Sequence, residues 1–193
     1  MPKLKLEKFD ESFTYKGLKT FDCGNEMINN FVHKSLKKRV KKHLSQAYVL
    51  LQDHTFVGFY TLDTFSISRD IFETEQKPSG LPPIVPVIKL GMLGVSKKLQ
   101  GKGIGKRLLR DVLLKVAQIS DLAGCASLYL LSEKDAVLFY KSLGFIALKE
   151  DDPLPMFLNI TTIIESMNES EYLMRSANNK KHILDSLKEV ENR

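Results

Sequence analysis

The sequence predicts a mixed α/β (α+β) fold, in which one central sheet is flanked by helices. Runs rich in β-branched and aromatic residues alternate with amphipathic helical patterns along most of the chain. One strand-length apolar run leads into a glycine-rich turn, and a helical pattern begins directly after that turn. The 193 residues are 43% hydrophobic, which is enough to bury the core of one domain.

The first predicted elements are a helix and a hairpin. Apolar residues recur at helical spacing over residues 26–43, behind a cluster of capping residues at positions 22–25. Residues 47–52 and 56–61 are β-rich, and the short polar segment between them predicts a hairpin turn. Prolines and a glycine over residues 77–86 exclude a helix interior and a central strand, so we expect a surface loop there.

The second half of the chain contains the glycine turn. Residues 87–95 predict the strand before it, and the helix after it has one apolar face, formed by Leu108, Leu109, Val112, Leu113, Val116 and Ile119. Gly124 is placed to end this helix. The remaining predicted elements are a strand, a short helix that stops at Gly144, and two further strands, at residues 127–131, 135–142, 145–148 and 156–162.

Composition and charge narrow the classes of function. No apolar stretch approaches the roughly 20 residues that a membrane-spanning helix needs, and no apolar segment of a secretory signal follows the amino terminus. Cys23 and Cys125 stand far apart, without a CxxC pair or a histidine at metal-ligand spacing, so we expect reduced thiols, no metal and a cytoplasmic protein. The net charge of +6 and the pI near 9.2 fit a polyanionic partner such as coenzyme phosphates or RNA.

The glycine turn is a candidate anion site. A helix N-terminus presents unpaired N–H groups, and Gly101, Gly103 and Gly105 would let a diphosphate approach the backbone without interference from a Cβ. A dinucleotide-binding turn fits poorly because the strand at residues 127–131 does not end in an acidic residue, and the Gly-Lys-Ser/Thr of a Walker loop is absent. A tight turn that serves only chain reversal is the structural alternative.

Two segments of the sequence, taken together with their spacing, resemble the GNAT acetyltransferase superfamily. The first is the strand at residues 90–95 with the turn Gln100-Gly101-Lys102-Gly103-Ile104-Gly105, and the second is the helix and turn at residues 136–145, which contains Phe139-Tyr140 and Gly144-Phe145. The resemblance covers about residues 21–162. It implies a GNAT fold with a mostly antiparallel central sheet, and an N-acetyltransferase that uses acetyl-CoA as its cosubstrate.

The resemblance also implies roles for individual residues. The backbone at Leu93, Gly94 and Val95 would contact the pantetheine arm, and the diphosphate would lie on Gln100, Gly101, Lys102, Gly103, Ile104 and Gly105, with Lys106 beside it. Ser132 and Asp135 occupy the neighbourhood in which the family often has an asparagine. Tyr140 would protonate the departing thiolate as a general acid, and core packing beside Phe139 is the alternative role for this side chain.

Residues 21–31, the basic helix after them and the prolines before the glycine turn make the chain similar to acetyltransferase toxins of bacterial toxin-antitoxin pairs. This similarity implies aminoacyl-tRNA as the acceptor and an antitoxin as a partner. The cations available for tRNA phosphates are Lys34, Lys37, Lys38, Arg39, Lys41 and Lys42, which otherwise form a solvated helix face. In the strand before the glycine turn, the toxins usually have an arginine within an Arg-Leu-Ala-Val-like stretch, and this chain has Met92-Leu93-Gly94-Val95 instead. If that arginine contributes to tRNA binding or activity, its absence reduces toxicity. The alternative functions are acetylation of a protein or small-molecule amine, and a non-catalytic coenzyme-binding module.

The catalytic domain is predicted to span residues 1–162, and a helical C-terminal extension to span residues 163–193. The apolar residues of the extension form one narrow helical stripe, comprising Ile183, Leu184, Leu187 and Val190. Residues 171–190 resemble the carboxy-terminal end of YefM/Phd-type antitoxins, while a helix that covers the sheet or a dimer seam explains the stripe equally well. We expect a homodimer.

Overall fold

The computed structural model describes residues 3–72 and 80–167, and these form one sheet with helices on both faces. The strands are β1 (Leu4–Lys8), β2 (Gln46–Gln52), β3 (Thr55–Ser68), β4 (Ile84–Val95), β5 (Ser127–Ser132), β6 (Ile146–Ala147) and β7 (Leu154–Asn159). The α-helices are α1 (Glu26–Lys34), α2 (Leu36–Lys41), α3 (Ile104–Ala123), α4 (Val137–Lys141) and α5 (Ile160–Ser166).

The strand order of the sheet is β1-β2-β3-β4-β5-β7-β6, and each neighbouring pair is antiparallel except β4 and β5. This topology confirms the predicted mixed, mostly antiparallel sheet. The parallel pairing joins residues 88–90 of β4 to residues 128–130 of β5 and stops there, although both strands continue. Because the two strands are no longer paired beyond Leu90 and Leu130, the middle of the sheet opens into a cleft.

Helix α3 connects β4 to β5 and packs on one face of the sheet. Its buried residues are Ile104, Leu108, Leu109, Val112, Leu114, Val116 and Ala117. They share one apolar core with strand residues that include Leu62, Leu90 and Leu130. Gly124 ends the helix with φ 63°, as predicted. The predicted apolar face is confirmed except that Leu113 and Ile119 are half-buried, whereas Leu114, which was not predicted, is buried.

Helices α1 and α2 cover the opposite face beside β2 and β3. The cluster that joins them to the sheet includes Val32, Leu36, Val40, Ala47, Val49 and Phe59. The single helix predicted over residues 26–43 is divided in two at Ser35. The predicted cap is confirmed, because the Asn25 side chain accepts a hydrogen bond from the Ile28 N–H at 3.1 Å.

Several predicted boundaries are wrong. The second hairpin strand, predicted over residues 56–61, runs from Thr55 to Ser68. The last strand ends at Asn159, not at residue 162, because the Asn159 side chain accepts a hydrogen bond from the Thr161 N–H at 2.9 Å and so caps α5. Pro86 lies inside β4, although its segment was expected to be a loop. The Pro86 carbonyl oxygen accepts from the Ala126 N–H at 2.8 Å, so the backbone of Pro86 faces β5. The parallel pairing with β5 begins only at Ile88, so the N–H that proline lacks is not needed by the sheet.

Within the described ranges, no helix combines the length and apolar composition that crossing a bilayer requires. Helix α5 crosses the predicted boundary between the domain and the C-terminal extension, at residues 162 and 163. The predicted apolar stripe and the antitoxin-like segment lie outside the described residues. The division into a domain and an extension stays a prediction.

Candidate functional site

A cleft of about 690 Å³ lies where β4 and β5 separate. Its walls are the second half of β4, the glycine turn, the end of β5, helix α4 and the start of α1. Because β4 and β5 are parallel, their carboxyl ends point toward the same edge of the sheet, where α3 begins. Beyond Leu90, the backbone groups of β4 that face β5 have no strand partner in the described sheet, so an extended polar ligand can pair with them.

Gly101 and Gly103 shape the turn between β4 and α3. Their φ angles are 72° and 74°, in the left-handed region that favours glycine. A Cβ built on either residue would meet no atom within 4 Å, so the space beside the turn is open. Gly103 is the N-cap of α3 and no side chain caps this helix, which leaves the N–H groups of its first turn available to an anion.

Gln100 ties the turn to its surroundings. The side-chain amide nitrogen donates to the carbonyl oxygen of Cys23 at 2.7 Å and to that of Val95 at 2.9 Å. Both hydrogens of the amide are therefore used within the protein. The side chain of Gln100 thus links the turn to the segment before α1, while the contact of Gln100 with the diphosphate, implied by the resemblance, stays a prediction.

An ion pair reinforces this link. The Lys97 ammonium lies 2.9 Å from the Asp22 carboxylate. The hydrogen bond from Lys97 is the largest of several contacts that lower the pKa of Asp22 to about 2. The Asp22 side chain also accepts from the Gly24 N–H at 2.8 Å and from the Asn29 amide at 2.9 Å. This network fixes the chain that leads into α1 against the chain that leads into the glycine turn.

Two glycines of β4 allow other groups to approach the strand closely. Gly91 lies at a bulge, where a Cβ would come within 2.8 Å of the Thr61 hydroxyl oxygen. That hydroxyl accepts a hydrogen bond from the Met92 N–H at 3.0 Å. At Gly94, a Cβ would lie 3.1 Å from a methyl carbon of Ile28. The start of α1 therefore packs directly on β4 and forms one wall of the cleft.

Tyr140 lines the cleft from α4. Its ring makes edge contacts with the rings of Phe139 and Phe145, at centroid distances of 5.1 and 5.5 Å. The residue is 9% exposed, and burial raises the pKa of its phenol to about 12. The side chain is thus both packed and in contact with the cleft, and its hydroxyl keeps a proton that it can donate at neutral pH.

Most of the predicted coenzyme residues meet at the cleft. Its lining includes Leu93, Gly94, Val95, Gln100, Gly101, Gly103, Ile104, Gly105, Lys106, Ser132 and Asp135. Lys102 is not in the lining, and its ammonium donates to the Lys98 carbonyl oxygen at 3.0 Å. Ser132 is buried and its hydroxyl donates to the Glu133 carbonyl oxygen at 3.0 Å, whereas Asp135 is exposed.

The predicted basic cluster lies on α1 and α2, with Lys42 as the C-cap of α2, and is outside the cleft lining. Its exposed members are Lys34, Lys37, Lys38, Lys41 and Lys42. Arg39 differs, because its Nε donates to the Ser45 hydroxyl at 2.9 Å and its guanidinium lies 3.4 Å from the Asp63 carboxylate. Arg39 therefore attaches α2 to the sheet, while the lysines form the exposed cationic surface.

The sequence analysis missed several residues of the cleft. Asn25, Met27 and Ile28 line it from the start of α1, and Lys89 lines it from β4. Met27 and Ile28 belong to the apolar face of a predicted helix, and nothing in that pattern separates a residue that lines a cleft from one that fills a core. Met27 is 54% exposed, which shows that it lines the open part of the site.

The arrangement fits an extended coenzyme with an anionic end. The glycine turn and the start of α3 offer N–H groups to a diphosphate, and Lys106 adds a positive charge at the same place. The separated part of β4 offers backbone groups to an amide-containing arm. Tyr140 offers a protonated phenol in the same cavity. Acetyl-CoA has a diphosphate, two amides and a thioester in that order, so the residues present fit it.

Known sequences are similar to this chain over most of its length. Residues 43–147 match the model of the acetyltransferase (GNAT) domain family. The chain is 33% identical over 154 residues to the probable toxin TacT of Sinorhizobium fredii (strain NBRC 101917 / NGR234). The aligned region covers 74% of this chain and 84% of that protein. It is 29% identical over 140 residues to the tRNA-acetylating toxin of Mycobacterium tuberculosis (strain ATCC 25618 / H37Rv), which covers 72% of this chain and 83% of that protein.

Solved structures show the same likeness. A crystal structure of a bacterial toxin superposes with a TM-score of 0.82 and 31% identity, over 87% of this chain and 98% of that chain. A tyrosine-to-phenylalanine mutant of the toxin AtaT, bound to the C-terminus of the antitoxin AtaR and acetyl-CoA, gives a TM-score of 0.71 and 28% identity, over 83% and 96% of the two chains. AtaT complexed with acetyl-methionyl-tRNAfMet gives a TM-score of 0.75 and 28% identity, over 83% of this chain and 97% of that chain.

Proposed function

This chain belongs to the GNAT family of N-acetyltransferases, and we propose that it transfers an acetyl group from acetyl-CoA to the free amine of an aminoacyl-tRNA. The observation that carries the proposal is a single cleft that contains both the glycine turn and Tyr140. A diphosphate held at the turn directs the arm of the coenzyme along β4, and the far end of that path meets the phenol.

The residues of the cleft bind and orient the coenzyme. Backbone N–H groups at the start of α3 and the Lys106 ammonium hold the diphosphate. Backbone groups of Leu93 and Val95 pair with the arm, and the apolar side chains of Ile28 and Phe139 exclude water from it. The coenzyme supplies an acetyl thioester, which is the activated acetyl group that the acceptor amine takes up.

Tyr140 acts as the general acid of the transfer. The amine nitrogen bonds to the acetyl carbon, the carbon–sulfur bond breaks, and the Tyr140 hydroxyl gives its proton to the departing thiolate sulfur. Water removes the excess proton from the amine, and the phenolate of Tyr140 regains a proton from solvent. The raised pKa of about 12 keeps Tyr140 protonated before each turnover. This proton balance requires no additional reactant.

Two relatives support an aminoacyl-tRNA acceptor. One is a tRNA-acetylating toxin, and the other is AtaT in complex with acetyl-methionyl-tRNAfMet. The exposed lysines of α1 and α2 give this chain a cationic surface that attracts tRNA phosphates. An acetylated amine can no longer form a peptide bond, so the product blocks translation.

That chemistry assigns the chain the role of a toxin with an antitoxin as its partner. The complex of AtaT with the C-terminus of AtaR supports this pairing. Both substrates belong to the cytoplasm, which is where we place the reaction.

Acetyl-CoA labelled in its acetyl group tests the proposal. We expect label in RNA when the protein is incubated with a total charged tRNA pool, and none when the same pool has been deacylated. Tyr140→Phe should lower the transfer rate by about 10²-fold or more. The control is Tyr15→Phe, which changes an equally buried tyrosine outside the cleft lining. Label in proteins or polyamines but not in charged tRNA would exclude the tRNA acceptor, and coenzyme binding without transfer to any amine would identify a non-catalytic module.

A further inference from the structure

An exposed aromatic ring lies on the sheet face that α3 does not cover. Phe65 of β3 is 46% exposed, and its ring stacks on the ring of Tyr129 at a centroid distance of 5.8 Å with 15° between the planes. Tyr129 is 5% exposed, so it gives Phe65 a rigid support. The Lys89 ammonium lies over the Phe65 ring, 5.1 Å from its centroid.

The strand register places this group beside the cleft. Lys89 of β4 is opposite Asp63 of β3 and Tyr129 of β5, so the three side chains project from the same face. The next residue, Leu90, belongs to the core under α3, which puts Lys89 on the other face. Lys89 also lines the cleft. An acceptor can therefore approach over Phe65 while the coenzyme binds at the glycine turn by α3.

The charges around Phe65 favour an anionic acceptor. Asp63 is the acidic residue opposite Lys89, and the Arg39 guanidinium lies 3.4 Å from its carboxylate. Lys38, next to Arg39 on α2, is exposed. Asp151 acts electrostatically on Tyr129 and forms an ion pair with Lys149 at 3.2 Å. Among the residues named, the cations are Lys38, Arg39, Lys89 and Lys149 and the carboxylates are Asp63 and Asp151, which is a positive balance.

We propose that Phe65 and Lys89 form a base-stacking platform for an unpaired nucleotide at the single-stranded 3′ end of the acceptor RNA, an inference that rests on the proposed function. An aromatic ring stacks on any base, and a neighbouring ammonium pairs with a phosphate of the same strand. When a base binds, Lys89 exchanges its contact with the ring for an ion pair with phosphate. The platform holds the terminal aminoacyl group so that its amine enters the cleft.

Substitutions at Phe65 test the platform with coenzyme binding as the control for folding. Phe65→Leu keeps apolar cover over Tyr129 but removes the ring, so we expect a KM for charged tRNA on the order of tenfold higher, the loss expected for one stacked base. The acetyl-CoA affinity should stay at the parent value. Phe65→Tyr keeps a ring and should retain the parent KM. Phe13→Leu is the matched control, because Phe13 is 59% exposed and its ring contacts Tyr15 and not Tyr129.

A spectroscopic measurement separates stacking from a purely structural effect. Uncharged tRNA with 2-aminopurine in its single-stranded 3′ end should lose fluorescence on binding the parent and Phe65→Tyr, and keep it on binding Phe65→Leu. If the parent acetylates charged tRNA and Phe65→Leu has the same KM and the same fluorescence quenching as the parent, the platform is wrong and the proposed function stands. A parent that acetylates no charged tRNA would refute the proposed function itself, and the platform with it.

Discussion

The side-chain amide nitrogen of Gln100 donates to the carbonyl oxygen of Cys23 at 2.7 Å, across 77 positions of sequence. Its second hydrogen bond goes to the Val95 carbonyl oxygen at 2.9 Å. One amide thus joins the end of β4, the glycine turn and the segment that leads into α1. It therefore links two walls of the cleft, together with the Asp22–Lys97 ion pair.

Gln100→Glu should weaken acetyl-CoA binding by about tenfold or more, because a carboxylate cannot donate to either carbonyl and places negative charge beside the diphosphate site. Isothermal titration calorimetry measures this change. Gln118→Glu makes the same substitution on α3 at a position outside the cleft lining, and it should bind the coenzyme as the parent does. Equal affinities for the two variants would contradict the positioning role of Gln100.

Gly103→Ala should lower the melting temperature by roughly 2–8 °C, since a left-handed backbone is unfavourable by about 1–2 kcal/mol for a residue with a Cβ. Gly105→Ala is the matched control. A Cβ at Gly105 meets Phe139 at 3.7 Å, which is ordinary contact, and φ there is not positive. Thermal unfolding of both variants checks the prediction, and an equal loss of stability would show that the backbone at Gly103 is not the cause.

Tyr140 should stay protonated throughout the working pH range. Burial raises its pKa to about 12, above the ordinary value near 10, so the neutral phenol is favoured in the folded state. The resulting stabilisation is fully present below pH ~10 and is lost as the pH rises through about 12. The Cζ resonance of 13C-labelled Tyr140, assigned with Tyr140→Phe, should therefore not move between pH 6 and about 10. A midpoint below that limit would remove the tyrosine from the role of a protonated acid.

Lys38→Ala and Arg39→Ala should separate RNA binding from stability. Lys38→Ala should leave the melting temperature unchanged and reduce the salt dependence of tRNA binding by about one unit of slope. Arg39→Ala should lower stability by about 1 kcal/mol, because it removes the partner of Ser45 and of Asp63, whose other carboxylate oxygen is already buried without a hydrogen bond. Binding isotherms at several salt concentrations, with denaturant unfolding, measure both effects. A Lys38→Ala salt slope equal to that of the parent would indicate a solvated face that does not contact RNA.

The order of the elements was predictable because most of them have strong local signals. Helix α3 has a long apolar face between two glycines with positive φ, and both ends agree with the sequence pattern. The hairpin of β2 and β3 has positive φ at Asp53 and His54, which is the turn chemistry that its polar residues indicated. These features depend on residues close to each other in the chain.

Other elements depend on tertiary context that the sequence pattern does not contain. The run from Ile160 to Ile164 is rich in β-branched residues and favours a strand, yet Asn159 caps it as a helix and Ile163 is fully buried against the core of α3. Strand β1 was missed because it is short and alternates leucine with charged residues, as edge strands do.

The candidate site also contains some features that local sequence predicts and others that depend on tertiary packing. The glycine turn and Tyr140 were identified through motifs, and the structure brings them to one cleft. The wall formed by the start of α1, and the contact of Gln100 with Cys23, arise from the packing of distant segments. No local spacing encodes such contacts, so they required the structure.

The pairing of β4 with β5 ends at Leu90 and Leu130, so a ligand between these strands takes the place of a missing strand. Its binding energy then opposes any parting of the two halves of the sheet. Without it, we expect this seam to open first and to be the first site of attack by proteases.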